Sequence, residues 1–344
     1  MTLPAIVCEG LAKSYLRKLR QPGLVGAVRG MFHSESQVVP AVRGLDFRIA
    51  RGERVGLIGE NGAGKSTTLK MLTGILMPTG GRLEVLGFDP WRQRQKLAAR
   101  IGVVFGQRPQ LLWDIPVRET FTLLKTMYRV DDKLFEATYS EAVKRLELGP
   151  LLGVAVRKLS LGQRMRCDLA ASLLHAPEIA FLDEPTIGLD VAVKEQVREF
   201  VVEMQRRFGT TLLLTTHDLK DITETCDRLL LLDRGSLLFD GSLGEFLKRF
   251  ATERRILLEL EKPVAEGVSA ELASALEPLG GVIAECRGHR VVVSYQREGA
   301  APALTQCLLS RLPVSDIVLE KADIDSMVAS IYRRSSAEQS AMPP

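Results

Sequence analysis

The sequence predicts an α/β fold of alternating strands and helices, followed by a smaller α+β domain. Three observations carry this expectation. A glycine-rich loop, Gly59 to Thr67, lies between the apolar run Val55-Gly56-Leu57-Ile58 and the helix-like Leu69-Lys70-Met71-Leu72. A second apolar run, Glu178-Ile179-Ala180-Phe181-Leu182, closes on two adjacent acids, Asp183 and Glu184. Beyond residue 250 the pattern changes to strand, helix, strand, strand, helix, strand.

Composition bounds the rest. At 344 residues there is length for one large domain or two, and the 46% apolar content is that of an ordinary globular protein. The 46 basic and 42 acidic side chains nearly balance, so no global field argues for a nucleic-acid partner. The five cysteines lack a CxxC pair and the four histidines do not cluster, which argues against a disulfide framework or a zinc site and for a reducing compartment. No basic region followed by an apolar core opens the chain, and no run of 18 apolar residues occurs. The expectation is a cytoplasmic protein that does not itself span a bilayer.

Taken in order, residues 3–9 and Val42 to Ile49 read as strands. Tyr15 lies between them, either as a ring for a nucleobase to stack on or as a core-packing tyrosine. An interruption at 16–39 follows, carrying Arg17, Lys18, Arg20 and Arg29 with no acid before Glu35. Its Leu24, Val25, Val28, Met31 and Phe32 fall at helical spacing. A basic amphipathic helix there suits an anionic membrane surface or a partner protein, and a solvated loop is the alternative.

Gly59-Glu60-Asn61-Gly62-Ala63-Gly64-Lys65-Ser66-Thr67 has the spacing of a phosphate-binding loop. Its glycines let successive N–H groups converge on phosphate oxygens at a helix N-terminus. Lys65 is placed to hold the outer phosphates and Ser66 to ligate Mg²⁺. Arg82 to Leu86 reads as a strand, Pro90 to Arg100 as a basic helix face, and Ile101 to Phe105 as a buried strand ending at Gln107. Pro116 to Leu148 is mostly helical, an insertion into the alternating pattern.

Leu159-Ser160-Leu161-Gly162-Gln163 opens another helix, with Ser160 as N-cap and free amides suited to an anion. The run into Asp183 and Glu184 has no packing reason to end in paired carboxylates. A Mg²⁺ site at Asp183 and a base at Glu184 explain it. Gly188-Leu189-Asp190 precedes a long helix, and the strand Thr211 to Thr215 delivers His217 to the same edge as Gln107 and Glu184. Asp227 to Asp240 is a hairpin and Leu243 to Phe250 a helix.

In this order Tyr15, the loop at 59–67, Gln107, the LSLGQ run, Asp183 with Glu184, Asp190 and His217 resemble the ATP-binding cassette (ABC) ATPase family. The resemblance covers about residues 3 to 250. It implies a P-loop NTPase of ABC type, with a helical insertion at about 108–175 and ATP and Mg²⁺ as cofactors. Nucleotide would be bound by Tyr15 and residues Gly59, Glu60, Asn61, Gly62, Ala63, Gly64, Lys65, Ser66 and Thr67. The metal would lie at Ser66, Gln107 and Asp183, and Glu184, His217 and Gln107 would serve hydrolysis.

The resemblance also implies a head-to-tail homodimer, in which Ser160, Leu161, Gly162 and Gln163 act on the partner's ATP and Asp190 forms the D-loop. Leu161 departs from the glycine common at its position, while Gly162 is kept. Residues 251–334 look like a ferredoxin-like accessory domain followed by a helix at Ile324 to Arg333, ahead of a polar tail at 335–344. One cassette with such an extension is similar to the ATPases of ABC-2 type exporters. The implied partner is an integral membrane permease, reached through Leu111, Leu112, Trp113 and Ile115, with the ATPase peripheral on the cytoplasmic face of the membrane. The rival is a soluble ABC ATPase acting on a macromolecular complex such as the ribosome or DNA.

Overall fold

The computed structural model describes residues 4–18, 36–105, 110–250, 254–264, 268–296, 299–320, 327–328 and 331–332. It divides into two compact units, 1–243 and 244–344. The boundary read from the sequence, at 250, falls at the far end of a helix, Leu243–Phe250, that begins at this division.

The first unit is built on two sheets. Strands β1 (Ile6–Lys18), β2 (Ser36–Ile49) and β4 (Gly80–Val85) make an antiparallel sheet in the order β2-β1-β4. Strands β3 (Arg54–Gly59), β5 (Ile101–Phe105), β6 (Ile179–Asp183), β7 (Thr211–Thr215), β8 (Arg228–Asp233) and β9 (Ser236–Ser242) make the other, in the order β5-β6-β7-β3-β8-β9. All pairings in this second sheet are parallel except β8 with β9. Its central strands are apolar on both faces, as a sheet covered on both sides requires. Val55, Leu57, Phe181, Leu213 and Leu230 are sealed from solvent together with Ile6, Leu45 and Ile49 of the antiparallel sheet. Between them packs α1 (Lys65–Leu72) through Leu69, Met71 and Leu72.

The antiparallel strands are longer than the sequence suggests. Pairing of β1 with β2 continues through Tyr15 opposite Val39 and Leu16 opposite Val38 to Lys18 opposite Ser36. The interruption placed at 16–39 is therefore strand at both of its ends. Residues 19–35, where the amphipathic helix was expected, lie outside the described residues. The basic helix expected from Pro90 to Arg100 is regular only over α2 (Arg94–Ala98).

The helical insertion comprises α3 (Val117–Tyr128), α4 (Asp132–Arg145) and α5 (Leu161–Leu173). Asp131 caps α4, accepting from the Lys133 amide at 2.9 Å. Of the residues whose pattern offers them for packing, Val117, Phe121, Leu124 and Leu146 are buried, while Leu134 and Val143 are only half-buried. After β6 come α6 (Val191–Phe208), ended by Gly209 at φ 68°, and α7 (Leu219–Thr225) between β7 and β8.

The second unit contains α8 (Leu243–Phe250, from its second residue), β10 (Arg254–Leu260), α9 (Val268–Leu276), β11 (Gly281–Arg287), β12 (Arg290–Tyr295), α10 (Ala301–Leu309) and β13 (Val314–Glu320). The sheet order β11-β12-β10-β13, all antiparallel, is that of a ferredoxin-like βαββαβ unit. Its core is its own: Ile256, Leu258, Leu272, Leu276, Val291, Val293, Leu304 and Leu308. Of the helix expected at Ile324 to Arg333, Met327, Val328, Ile331 and Tyr332 are described and helical, and the rest of it and the tail at 335–344 lie outside the described residues.

Candidate functional site

The site is set by what the parallel strands deliver at their carboxyl ends. Strand β3 runs into the loop 60–64, whose turn needs left-handed backbone at Gly62 (φ 89°) and Gly64 (φ 104°). Gly64 also has no room for a side chain, because a β-carbon there would sit 2.7 Å from the Ala41 carbonyl oxygen. The loop is pinned from the far side by the Gly235 amide, which donates to the Ala63 carbonyl at 3.0 Å. Helix α1 then starts at Lys65 with its first amides unpaired by any side-chain cap, the arrangement that receives a phosphate.

Lys65 is only 7% exposed. Its ammonium donates to the carbonyls of Gly59 at 2.6 Å and Glu60 at 3.2 Å, and its third proton is available to a ligand. Burial pushes Lys65 below the usual lysine range, while the nearby carboxylates of Glu184 and Asp183 pull the other way. A desolvated cation beside two acids is an arrangement that phosphate oxygens stabilise.

Strands β6 and β7 run side by side with Asp183 opposite Thr215. The Thr215 hydroxyl donates to Asp183 Oδ1 at 2.5 Å, and Ser66 Oγ is 3.4 Å from the same oxygen. Ser66 and Asp183 thus present hard oxygen donors from two elements to one point. That donor set fits Mg²⁺, which takes one or two protein oxygens and fills its shell with water and phosphate. Among the described residues no cluster of three or more His, Cys, Asp or Glu could hold a metal by itself.

Glu184 follows with a left-handed backbone, φ 52°, which is strained for a residue bearing a side chain. Its amide is held by the Thr215 carbonyl at 2.9 Å. The Glu184 carboxylate lies 3.5 Å from Nδ1 of His217, whose side chain is 61% exposed. That distance is long for a hydrogen bond and leaves room for adjustment.

Tyr15 is 42% exposed on β1, with the Lys13 ammonium 5.5 Å from its ring centroid. It pairs with Val39, two residues before the Ala41 that abuts Gly64. Gln107 lies outside the described residues. Just beyond it, the Gln110 amide donates to Asp168 of α5 at 2.6 Å and its side chain to the Val103 carbonyl of β5. Asp168 is buried there, which pushes its carboxyl up to about 6 against the opposing Gln110 and Leu111 amides and Arg164.

Ser160, Leu161, Gly162 and Gln163 stand apart from this cluster. Their bonds run among themselves: the Ser160 hydroxyl accepts from the Gln163 amide at 3.3 Å, and the Ser160 amide donates to Gln163 Oε1 at 3.0 Å. This capping box leaves Ser160 and Leu161 exposed at the start of α5. Leu161 rests near Gly188, and Gly162 near Leu189. Asp190 caps α6 through the Val193 amide at 2.9 Å, so its first role in the fold is local.

The sequence reading passed over Thr215, Thr186, Thr216 and Asp221. Thr215 ends an otherwise apolar buried strand, which was a usable signal. The others are tied to the site only through contacts between distant segments.

With this geometry in place, a family model described as "ABC transporter" matches residues 42–187. The chain is 32% identical over 289 residues to the daunorubicin resistance ATP-binding protein DrrA3 of Streptomyces coeruleorubidus, covering 83% of this chain and 89% of that one. It is 35% identical to a fluoroquinolones export ATP-binding protein of Mycobacterium tuberculosis, covering 67% and 75% respectively. Among solved structures, an ATP-binding subunit of an ABC transporter superposes with a TM-score of 0.60 at 24% identity, covering 72% of this chain and 93% of that one. A dimeric ATP-binding cassette, MJ0796 bound to ADP and Pi, superposes with a TM-score of 0.57 at 23% identity over 69% and 98%.

Proposed function

The chain belongs to the ABC transporter family as an ATP-hydrolysing subunit, and on that premise we propose that it powers export through a separate membrane permease. The observation that carries the catalytic reading is the convergence of Lys65, Ser66, Asp183, Glu184 and His217 at one edge of the parallel sheet. Export is supported by the relatives, whose names assign them to daunorubicin resistance and fluoroquinolone export.

In this reading the loop amides and Lys65 bind the phosphates, and the ring of Tyr15 stacks on the base. Ser66 and Asp183 would hold Mg²⁺, with Gln107 as a further ligand. Magnesium, when bound, supplies charge neutralisation on the phosphate oxygens. Glu184 accepts a hydrogen bond from the attacking water, orients it toward the terminal phosphorus and takes up its proton, while the bond from phosphorus to the ADP oxygen breaks as the new P–O bond forms. His217, beside Glu184, steadies the same region.

The capping box at Ser160 pairs the Ser160 and Gln163 amides, leaves the Leu161 and Gly162 amides at the helix start outside it, and has no role within its own copy's phosphate cluster. We assign it to the ATP of a second copy, so that each site joins Lys65 and Glu184 of one protomer to Ser160, Leu161, Gly162 and Gln163 of its partner. The dimer is then held by phosphate charge shared between protomers, and hydrolysis releases it. Of the residues expected to face the permease, Leu111 is buried in the fold and Ile115 half-buried, so the apolar surface on offer is that of exposed Leu112 and Trp113, the latter under the Arg164 guanidinium at 5.3 Å. No helix among the described residues is long and apolar enough to cross a membrane, and the permease would hold this subunit at the cytoplasmic face.

Light scattering on Glu184→Gln with ATP and Mg²⁺, against ADP, tests the composite site. A dimer with ATP and a monomer with ADP is the expected result; a monomer in both overturns the shared site. Co-purification with a polytopic membrane protein tests the transport assignment.

A further inference from the structure

Behind the candidate site, one buried carboxylate joins the two loops that carry its acid and its histidine. Asp221 of α7 is 1% exposed. Its Oδ2 accepts from the hydroxyls of both Thr186 and Thr216, the latter at 3.1 Å. Thr186 lies two residues after Glu184, and Thr216 immediately before His217. Both threonines are buried, at 3% and 1% exposure. A single oxygen therefore fixes the spacing between the loop that leaves β6 and the loop that leaves β7.

The other oxygen anchors this clamp to α6. Asp221 Oδ1 accepts from Arg198 Nη1 at 2.9 Å, and Arg198 is itself 4% exposed. Arg198 Nη2 donates to Glu195 at 2.6 Å, and the Glu224 carboxylate stands 2.5 Å from Nε without the alignment of a hydrogen bond. One turn nearer the start of α6, Lys194 donates to Asp218 at 2.6 Å, directly after His217. Two rungs thus tie α6 to the His217 loop, and the helix begins at its cap, Asp190. A carboxylate holding three donors has its capacity largely filled, so it is rigid rather than reactive.

We propose that Asp221 is a positioning residue for ATP hydrolysis: through Thr186 and Thr216 it sets the distance between Glu184 and His217. The proposal rests on the assignment of Glu184 and His217 to hydrolysis. The 3.5 Å separation of Glu184 and His217 is loose by itself, and neither is otherwise bonded to the other's loop through its own side chain. Because Asp221 touches neither site residue, its effect must fall on the chemical step and leave nucleotide affinity alone.

The test is steady-state ATP hydrolysis by the full-length chain carrying Thr186→Val with Thr216→Val, alongside Thr186→Ser with Thr216→Ser. Valine keeps the buried shape and removes the hydroxyls; serine keeps the hydroxyls and removes a buried methyl. The valine pair should lower kcat by about fivefold or more with KM for ATP within about twofold, and the serine pair should stay within about twofold of the parent. A smaller loss in the valine pair overturns the proposal, as does an equal loss in the serine pair or a parallel rise in KM. A purely structural role predicts instead that the activity lost follows the folded protein lost, because valine also strands the buried Asp221 carboxylate: a kcat loss that disappears when rates are normalised to the folded fraction from a thermal melt overturns the proposal. Should the double valine variant fail to fold, Thr216→Val alone decides by the same kcat and KM criteria. Glu184→Gln in the same assay separates the premise: if it retains hydrolysis, the site assignment fails and the proposal falls with it, whereas an inactive Glu184→Gln beside an unimpaired valine pair overturns the role of Asp221 alone.

Discussion

Thr215 and Asp183 face each other across neighbouring parallel strands, and the threonine hydroxyl donates to the carboxylate oxygen that also faces Ser66. The bond orients a proposed metal ligand without contacting the metal. Thr215→Val should therefore weaken Mg²⁺ and leave metal-free nucleotide binding alone. The Mg²⁺ concentration for half-maximal hydrolysis is expected to rise about tenfold; an unshifted Mg²⁺ dependence counts against Asp183 as the ligand.

Lys65 sits desolvated on two backbone carbonyls. Lys65→Ala should abolish measurable ATP binding while the nucleotide-free protein melts no lower than the parent, since a buried cation is removed. Calorimetric titration with ATP reads the first effect and a thermal melt the second. Retained affinity would falsify the phosphate-loop assignment.

The glycines of that loop differ in what they cost. At Gly62 a β-carbon meets nothing within 4 Å, and only the positive φ resists it, so Gly62→Ala should destabilise by about 1–2 kcal/mol. At Gly64 the same change adds a collision with the Ala41 carbonyl at 2.7 Å. Urea unfolding should rank Gly64→Ala clearly below Gly62→Ala, and equal midpoints would mean the loop can shift off β2.

His175 gives the fold an acid-sensitive point. Its ring stacks on Tyr128 at 4.0 Å, its Nε2 lies 3.1 Å from the Ile101 carbonyl, and its Nδ1 is buried without a partner. Burial pushes its pKa down to about 4, so the neutral ring donates from Nε2 and a second proton has no acceptor. The folded state resists a proton that the unfolded chain accepts below about 6.5. Stability is thus full above that pH and falls as pH drops toward 4, by on the order of 3 kcal/mol. His175→Phe should flatten the melting temperature over this window; an unchanged slope would place the acid lability elsewhere.

The second unit has its own core, so its removal should spare the first. A chain ending at Phe250 is expected to bind ATP as the full chain does. Loss of binding in a folded truncation would show that the nucleotide site depends on residues after 250.

Much of this was legible in the sequence because it is local. The loop Gly59 to Thr67, the apolar run into Asp183, the capping box at Ser160 and Gln163 and the βαββαβ order each depend on spacing within one segment. What was not legible depends on register between segments. That Thr215 meets Asp183 follows from how β6 and β7 align, and that Asp221 joins Thr186 to Thr216 follows from how α7 packs beneath both loops. The strand character of Leu16 to Lys18 exists only because residues 36–38 pair with it, and glycines and basic residues nearby masked that signal. The strained backbone of Glu184 has no sequence signature at all.

The Gly64 contact reaches further than one loop. Gly235, in the turn between β8 and β9, approaches the same Ala41 carbonyl, where its own β-carbon would sit at 2.7 Å, and its carbonyl accepts from the Arg43 amide at 2.7 Å. Three segments far apart in the chain therefore share one junction with no spare volume for a methyl group. None of the three can be altered alone: a side chain at Gly235 or at Gly64 requires the β2 backbone at Ala41 to give way.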